Sequence, residues 1–394
     1  MIKEFPQDRQ EKRKVLLEAV DSIAETLRIS GAKNEELATL APEVVSALRD
    51  SGIFRLKLMH ALGGAEADPV TQMEVFERLA YHDVSSSWCS MVGSTGLAAL
   101  GTFLPDGGVE KIFKDGYIPT AAISFYPAGR VVRENGGYRV NGRWRFVSGI
   151  PHAEWVSAGA IVEGSENENG IPEVIFVTFP TSEVTLYDNW QVMGLKGTGS
   201  CDFSVENYYL PQEMTYSWDL RHPKPRRGGP LYLLPPFAFV TNEHASVAAG
   251  AARRALDELI QMAKTTRGKF RASKLDERQV VHRFIGEADI KLRSARALLF
   301  DRFEALWQKV CAGQVPDGAE VAEARVLAVY VTDIAVEIVT RAFRYGGGGA
   351  LYTPHILERL LRDTNGAGQH QVVSDTAYEN HGKFLLGLPA DPMA

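Results

Sequence analysis

The sequence predicts an α+β chain in three parts: an N-terminal helical domain over 1–117, a central antiparallel β domain over 118–216, and, after a connector at 217–236, a C-terminal four-helix bundle over 237–394. Three observations carry this. Apolar residues first recur every three or four positions, then gather in strand-length runs broken by turn residues, then return to the helical period.

In the first part, Val15, Leu16, Ala19, Ile23 and Leu27 mark one helix face. Pro42 opens a helix through EVVSALRD and Gly52 stops it. The spacing predicts further helices over 69–81 and 85–103, the second small and apolar enough for a buried core helix. From Ile118 the runs AAISFY, RVV, YRVNGRWRF, EWVSAGAIV and EVIFVTF have strand length. Asn135-Gly136 and Asn141-Gly142 are expected to supply positive φ for hairpin turns. The Pro-, Arg- and Gly-rich stretch 217–236 reads as the connector. Three long amphipathic helices follow, in VAAGAARRALDELIQMAKTTR, DERQVVHRFIGEADIKLRSARALLFDRFEALWQKV and VAEARVLAVYVTDIAVEIVTRAFRY, with 353–386 as the fourth element of the bundle.

Composition narrows the function. The 394 residues are 45% hydrophobic, enough for a large core. A net charge of -6 gives no footprint for nucleic acid or an anionic membrane. The basic run RHPKPRR at 221–227, followed by two glycines, reads as a solvated loop. Cys89, Cys201 and Cys311 lie far apart with no CxxC spacing, against a disulfide scaffold or zinc site. No apolar run is long enough to cross a bilayer and no signal-like segment opens the chain, so a cytoplasmic location is expected. A dinucleotide fingerprint, a Walker A loop, HExxH and GxSxG are all missing. Gly346 to Gly349 follow a helix, where a glycine run is a C-terminal stop as readily as a ligand loop.

The α–β–α order, the turn Met193-Gly194-Leu195-Lys196 with the strand after it, the glycine run and Arg362-Asp363 together resemble the acyl-CoA dehydrogenase fold over essentially the whole chain. In the common dehydrogenases a glutamate follows the Arg-Asp pair and removes the α-proton of the thioester. Here the segment reads TNGAGQHQVV, with His370 and Gln371 where that glutamate would stand. Together with Gly142-Arg143-Trp144-Arg145-Phe146-Val147-Ser148-Gly149 and the closing GKFLLGL, this is similar to the two-component flavin-dependent monooxygenases of the fold: aromatic hydroxylases, dibenzothiophene monooxygenases and amino-sugar N-oxygenases.

That resemblance implies an oxygenase component that takes reduced flavin (FADH2, or FMNH2) from a separate NAD(P)H-flavin reductase. With O2 it forms a C4a-hydroperoxyflavin and oxygenates a small aromatic or heteroatom-bearing molecule, usually as a homotetramer. It places Trp144, Phe146, Val147, Ser148 and Gly149 at the flavin, with the Ser148 hydroxyl or a nearby N–H beside N5. Arg267 would reach flavin phosphate, for which a guanidinium fork is suited, and Gly347 and Gly348 would give close backbone approach. His370 would do acid–base work. Trp88, Phe125, His244 and Gln371 are the substrate-side candidates. Local sequence also allows plainer readings: Ser148-Gly149 as an ordinary turn, His370 as a hydrogen-bonded histidine, Trp88 as core, Arg267 as an exposed helix end. Two other functions stay open, an acyl-CoA dehydrogenase or oxidase with its base on another helix, and a non-catalytic binding subunit.

Overall fold

A computed structural model describes residues 4–219, 222–265 and 274–391. The N-terminal helices are α1 (Arg9–Leu37), α2 (Pro42–Asp50), α3 (Pro69–His82), α4 (Val84–Phe103) and α5 (Asp106–Ile112). Their starts follow capping chemistry: Asp8, Asp68 and Asp83 accept backbone N–H bonds in the first turns of α1, α3 and α4. Pro42 and Pro69 occupy first-turn positions, where no N–H is required. Helix α4 is buried on all sides. Gly93 and Gly96 let it lie directly on the sheet, since a Cβ at either would come within 3.2–3.3 Å of Phe54 or Ala121.

One sheet follows, built from β1 (Ala121–Glu134), β2 (Gly137–Val147), β3 (Trp155–Val162), β4 (Val174–Pro180), β5 (Thr185–Leu186), β6 (Cys201–Pro211) and β7 (Thr215–Tyr216), in the order β5-β6-β2-β1-β3-β4-β7. It is mixed rather than wholly antiparallel, because β1 and β3 run parallel from Ala121↔Trp155 to Val131↔Val162. The connection through β2 and 148–154 leads the chain back to the start of β1 instead of reversing it.

Asn135-Gly136 makes the expected β1–β2 turn, with Gly136 at φ +76°. Asn141-Gly142 does not turn: it lies inside β2, beside a register shift. Its glycine serves close approach instead. A Cβ on Gly142 would meet the Trp144 ring at 2.7 Å and Gly129 Cα at 2.9 Å.

The bundle consists of α6 (Pro236–Thr265), α7 (Gln279–Cys311), α8 (Gly318–Gly346), α9 (Ile356–Ala367) and α10 (Thr376–Leu385). The expected fourth helix is thus two short ones. The break between them, at Gly368 and the short 3-10 turn Gln371–Val373, is where His370 sits. Among the described residues no helix is long and apolar enough to cross a membrane.

Candidate functional site

Strand β2 ends in an irregular step. Its register with β6 shifts between Trp144 and Val147, and Phe146 takes φ +58°, a left-handed conformation costly for an aromatic residue. That step leaves the Phe146 ring 72% exposed, edge-on to Trp190 at 6.2 Å. The pairing Val147↔Cys201 then sets Ser148 opposite Ser200, and their hydroxyls are 2.7 Å apart. Gly149, at φ +78°, turns the chain away while its N–H donates to the Thr198 carbonyl.

Helix α4 brings Trp88 onto this corner, where its indole Nε1–H donates to Ser148 Oγ at 2.9 Å. The same indole lies edge-on to His244 of α6 (4.7 Å, 84°) and to His370 (5.7 Å, 72°), and the two imidazoles are 4.4 Å apart. Trp88, Ser148, His244 and His370, distant in sequence, therefore form one cluster. Trp88, Ser148 and His244 are buried, while His370 keeps some accessible surface.

Burial lowers the His370 pKa to about 4, and burial with the charge of His370 also pushes His244 down, so both rings are neutral at pH 7. Backbone N–H of Val372 donates to His370 Nδ1 at 3.2 Å, which fixes the ring proton on Nε2. No hydrogen-bond partner of either His244 nitrogen or of His370 Nε2 occurs among the described residues. The cluster thus offers ring N–H and lone-pair sites in a dry setting, without a carboxylate.

The carboxylate nearest in sequence, Glu243, is turned away. It pairs with Lys57 at 2.5 Å, both side chains wholly buried, and Lys57 also donates to Thr95 and the Phe239 carbonyl and lies over the Phe239 ring. Burial raises Glu243 to about 7 and lowers Lys57 to about 8.

The remaining candidates are dispersed. Trp144 is core rather than cofactor wall: it is completely buried, stacks on Phe203 at 4.7 Å and donates to the Gly159 carbonyl. The Val147 side chain is buried too, so only its backbone could face a ligand. Phe125 belongs to an aromatic group with Phe176 and Trp218. Gln371 is exposed, and its carbonyl accepts from Arg325.

Gly347, at φ +69°, caps α8, and Gly348 has open space where a Cβ would go. Gly346 packs on Leu357 whereas Gly368 packs on Thr332. The run therefore lies about 20 Å along α8 from the His370 end and does not reach the cluster within one chain. Arg267 lies outside the described residues.

Arg362-Asp363 forms a clasp. Arg362 donates to the Met193 carbonyl at 3.0 Å, and Asp363 Oδ1 accepts from Leu195 N–H at 2.7 Å. Arg362 is further held by Glu35 and Glu358. Sequence reasoning missed Thr198, Ser200, Lys57 and Arg325. Lys57 and Arg325 do carry a signal, each being a cation inside an apolar run, IFRLKLM and ARVLAVYV. The two hydroxyl residues carry none beyond their turn.

Two surface hollows, of about 220 and 370 Å³, lie at Arg28–His355 and Arg13–Arg296 and share no residue with the cluster. No metal-ligating group of three or more side chains occurs among the described residues.

An exposed aromatic ring on strained backbone, a buried hydroxyl beside it and two open imidazoles fit a flat ring system with a polar edge, as flavin is. The order of helices, sheet and bundle is that of the acyl-CoA dehydrogenase fold. Residues 243–375 match the family described as acyl-CoA dehydrogenase, C-terminal domain.

Over 351 residues, covering 88% of this chain and 87% of the relative, the chain is 28% identical to an indole-3-acetate monooxygenase of Pseudomonas putida. An FADH2-dependent resorcinol hydroxylase, oxygenase component, of a Rhizobium species is 25% identical over 97% of both chains. The crystal structure of the HsaA monooxygenase from Mycobacterium tuberculosis superposes with a TM-score of 0.86 at 26% identity, over 96% of this chain and 99% of that one. Over nearly its whole length the chain is similar to flavin-dependent monooxygenases built on this fold.

Proposed function

We propose that this chain is the oxygenase component of a two-component flavin monooxygenase, using reduced flavin, FADH2 in preference to FMNH2, and O2 to oxygenate a small aromatic or heteroatom-bearing molecule. The observation that carries the reading is the Ser148–Trp88–His244–His370 cluster, polar only through neutral groups and lacking a carboxylate base. Relatives named as an FADH2-dependent oxygenase component and as monooxygenases of aromatic compounds support it. By the same analogy a separate reductase supplies the flavin.

Bound reduced flavin would supply the electrons that activate O2; this chain's residues bind it and keep water away. The exposed Phe146 ring, with Trp190, walls the cofactor, and Ser148 with the Val147 and Gly149 backbone meets its edge. Substrate rests beside the contacting trio of Trp88, His244 and His370, with the Phe125 aromatic group as a further wall. His370, neutral with its proton on Nε2, acts as a hydrogen-bond donor to substrate or oxygen rather than as a base.

Glu243, locked by Lys57, is unsuited to the role of relocated base, which counts against thioester dehydrogenation. Exposed Leu351, Tyr352, Leu385 and Leu386 support assembly into a tetramer. Gly347 and Gly348, beside the first two, could then serve a cofactor only across a boundary between copies.

The test is anaerobic mixing with FADH2 or FMNH2 followed by oxygen in a stopped-flow spectrometer. An absorbing transient that precedes oxidised flavin, with reoxidation slower than in free solution, is expected. Reoxidation at the solution rate with both flavins refutes the proposal.

A further inference from the structure

The hydroxyls beside Trp88 form a chain whose direction is set by counting protons. There are four contacts: Trp88 Nε1 to Ser148 Oγ at 2.9 Å, Ser148 Oγ to Ser200 Oγ at 2.7 Å, Ser200 Oγ to Thr198 Oγ1 at 2.7 Å, and Thr198 Oγ1 to the Leu195 carbonyl at 2.8 Å. Four hydrogens serve them, one indole N–H and three O–H. The indole can only donate and the carbonyl can only accept. The Leu195 carbonyl also takes the Thr198 N–H at 3.1 Å and the Trp190 indole N–H at 3.0 Å, but the Thr198 hydroxyl is its shortest donor; with that proton on Leu195, Ser200 donates to Thr198 and Ser148 donates to Ser200. No other assignment makes all four bonds. The links are buried, with Ser148 7%, Ser200 5% and Thr198 0% exposed, so water does not compete for the protons.

The consequence falls on Ser148. Its proton is committed to Ser200 and one lone pair to Trp88, leaving one lone pair for anything that comes to its side. The two backbone donors beside it are also spent: Ser148 N–H on the Phe146 carbonyl at 3.1 Å and Gly149 N–H on the Thr198 carbonyl at 2.9 Å.

We propose that Trp88, Ser200 and Thr198 are positioning residues that hold Ser148 as an acceptor only, so that the site selects reduced flavin, whose central-ring N5 carries a proton, over oxidised flavin, whose N5 is itself an acceptor. The inference rests on the flavin reading above and adds the device by which the redox state is distinguished. Two facing acceptors leave both unsatisfied in a dry site, whereas an N5–H meets the open lone pair.

Binding tests this without turnover. Dissociation constants for oxidised FAD and FMN, and for both flavins reduced with dithionite under argon, are measured by calorimetry for the native chain and three variants. Ser200→Ala removes the acceptor for the Ser148 proton and frees that proton for N5 of oxidised flavin. The ratio of oxidised to reduced dissociation constants is expected to fall about tenfold, which lowers the bound flavin's midpoint potential by about 30 mV.

Thr198→Val cuts the chain one link later and moves the ratio the same way. Thr198→Ser keeps the link and leaves the ratio unchanged, which separates polarity from packing. An unchanged ratio in Ser200→Ala and Thr198→Val, in proteins that still bind reduced flavin, overturns the relay and leaves the monooxygenase reading standing. A native chain that binds neither flavin in either state brings down that reading and the relay together.

Discussion

Gly194→Ala probes the clasp between the turn at 193–199 and helix α9. A Cβ at residue 194 would sit 1.9 Å from the Arg362 carbonyl oxygen, 2.4 Å from its carbon and 3.0 Å from Asp363 N. These are backbone atoms inside a helix, so the turn must lift away. Lifting removes Leu195 N–H to Asp363 and Arg362 to the Met193 carbonyl. Each bond involves an ionisable group and contributes about 1.5–3 kcal/mol.

Leu195, held at φ +55°, releases about 1 kcal/mol of strain in exchange. The net cost is then about 3 kcal/mol, a melting temperature lower by roughly 3–5 °C in calorimetry. Weaker binding of reduced flavin should accompany it, because the Leu195 carbonyl is the far end of the hydroxyl chain to Ser148. Asp363→Asn keeps the acceptor and should behave differently. Burial raises the Asp363 pKa from 3.8 to about 7, so the native residue's contribution to stability is greatest below 3.8 and is lost as pH rises through 7. The asparagine variant therefore gains on the native chain as pH rises between 4 and 7. A Gly194→Ala protein melting within about 1 °C of the native one, flavin binding intact, would show that the clasp holds nothing.

Three further outcomes are expected. Phe146→Ala changes the melting temperature by about 1 °C or less, since the ring is largely exposed, but weakens reduced-flavin binding about tenfold, measurable by calorimetry. Burial lowers His370 and His152 from 6.5 to about 4, so each neutral ring's contribution is present above 6.5 and lost as pH falls from 6.5 toward 4; His152→Gln should flatten the urea-unfolding midpoint in that window. Lys57→Met strands Glu243 as an uncompensated buried acid and costs about 3–5 kcal/mol, most of it recovered in Lys57→Met/Glu243→Leu, as denaturant titration of the pair would record.

The layered order of the fold was legible because periodicity reports burial, and burial sets the elements. The buried character of α4 was plain from its small residues, and Pro42 and Asn135-Gly136 were read correctly because their φ preferences are local. Asn141-Gly142 misled for the same reason. The pair looks like a turn, yet its glycine answers to Trp144 and Gly129 across the sheet, which no local pattern encodes. Trp144 is placed at the flavin only by the resemblance of its motif, which does not reveal that the bulge at Phe146 turns that ring outward and leaves Trp144 in the core. Among the clustered residues, His370, His244, Trp88 and Ser148 could be named in advance, each standing in a recognisable segment. Ser200 and Thr198 could not, since they gain meaning only through the register Val147↔Cys201.

The C-terminal stretch divides in space into three tasks. Gly347 ends α8 about 20 Å from the site, Arg362-Asp363 grips the 193–195 turn, and His370 enters the break that separates α9 from α10. The second task is nonetheless joined to the third. Asp363 fixes Leu195 through its N–H while the Leu195 carbonyl takes the proton of Thr198, so the clasp anchors the end of the chain that orients Ser148. Trp88, donating into that chain, also packs on both histidines. A disturbance at α9 can therefore reach the hydroxyl and the imidazoles through five hydrogen-bonding residues, without moving a strand of the sheet. Reduced-flavin affinity should accordingly fall in the clasp variants even though none of the clasp side chains lies in the histidine cluster.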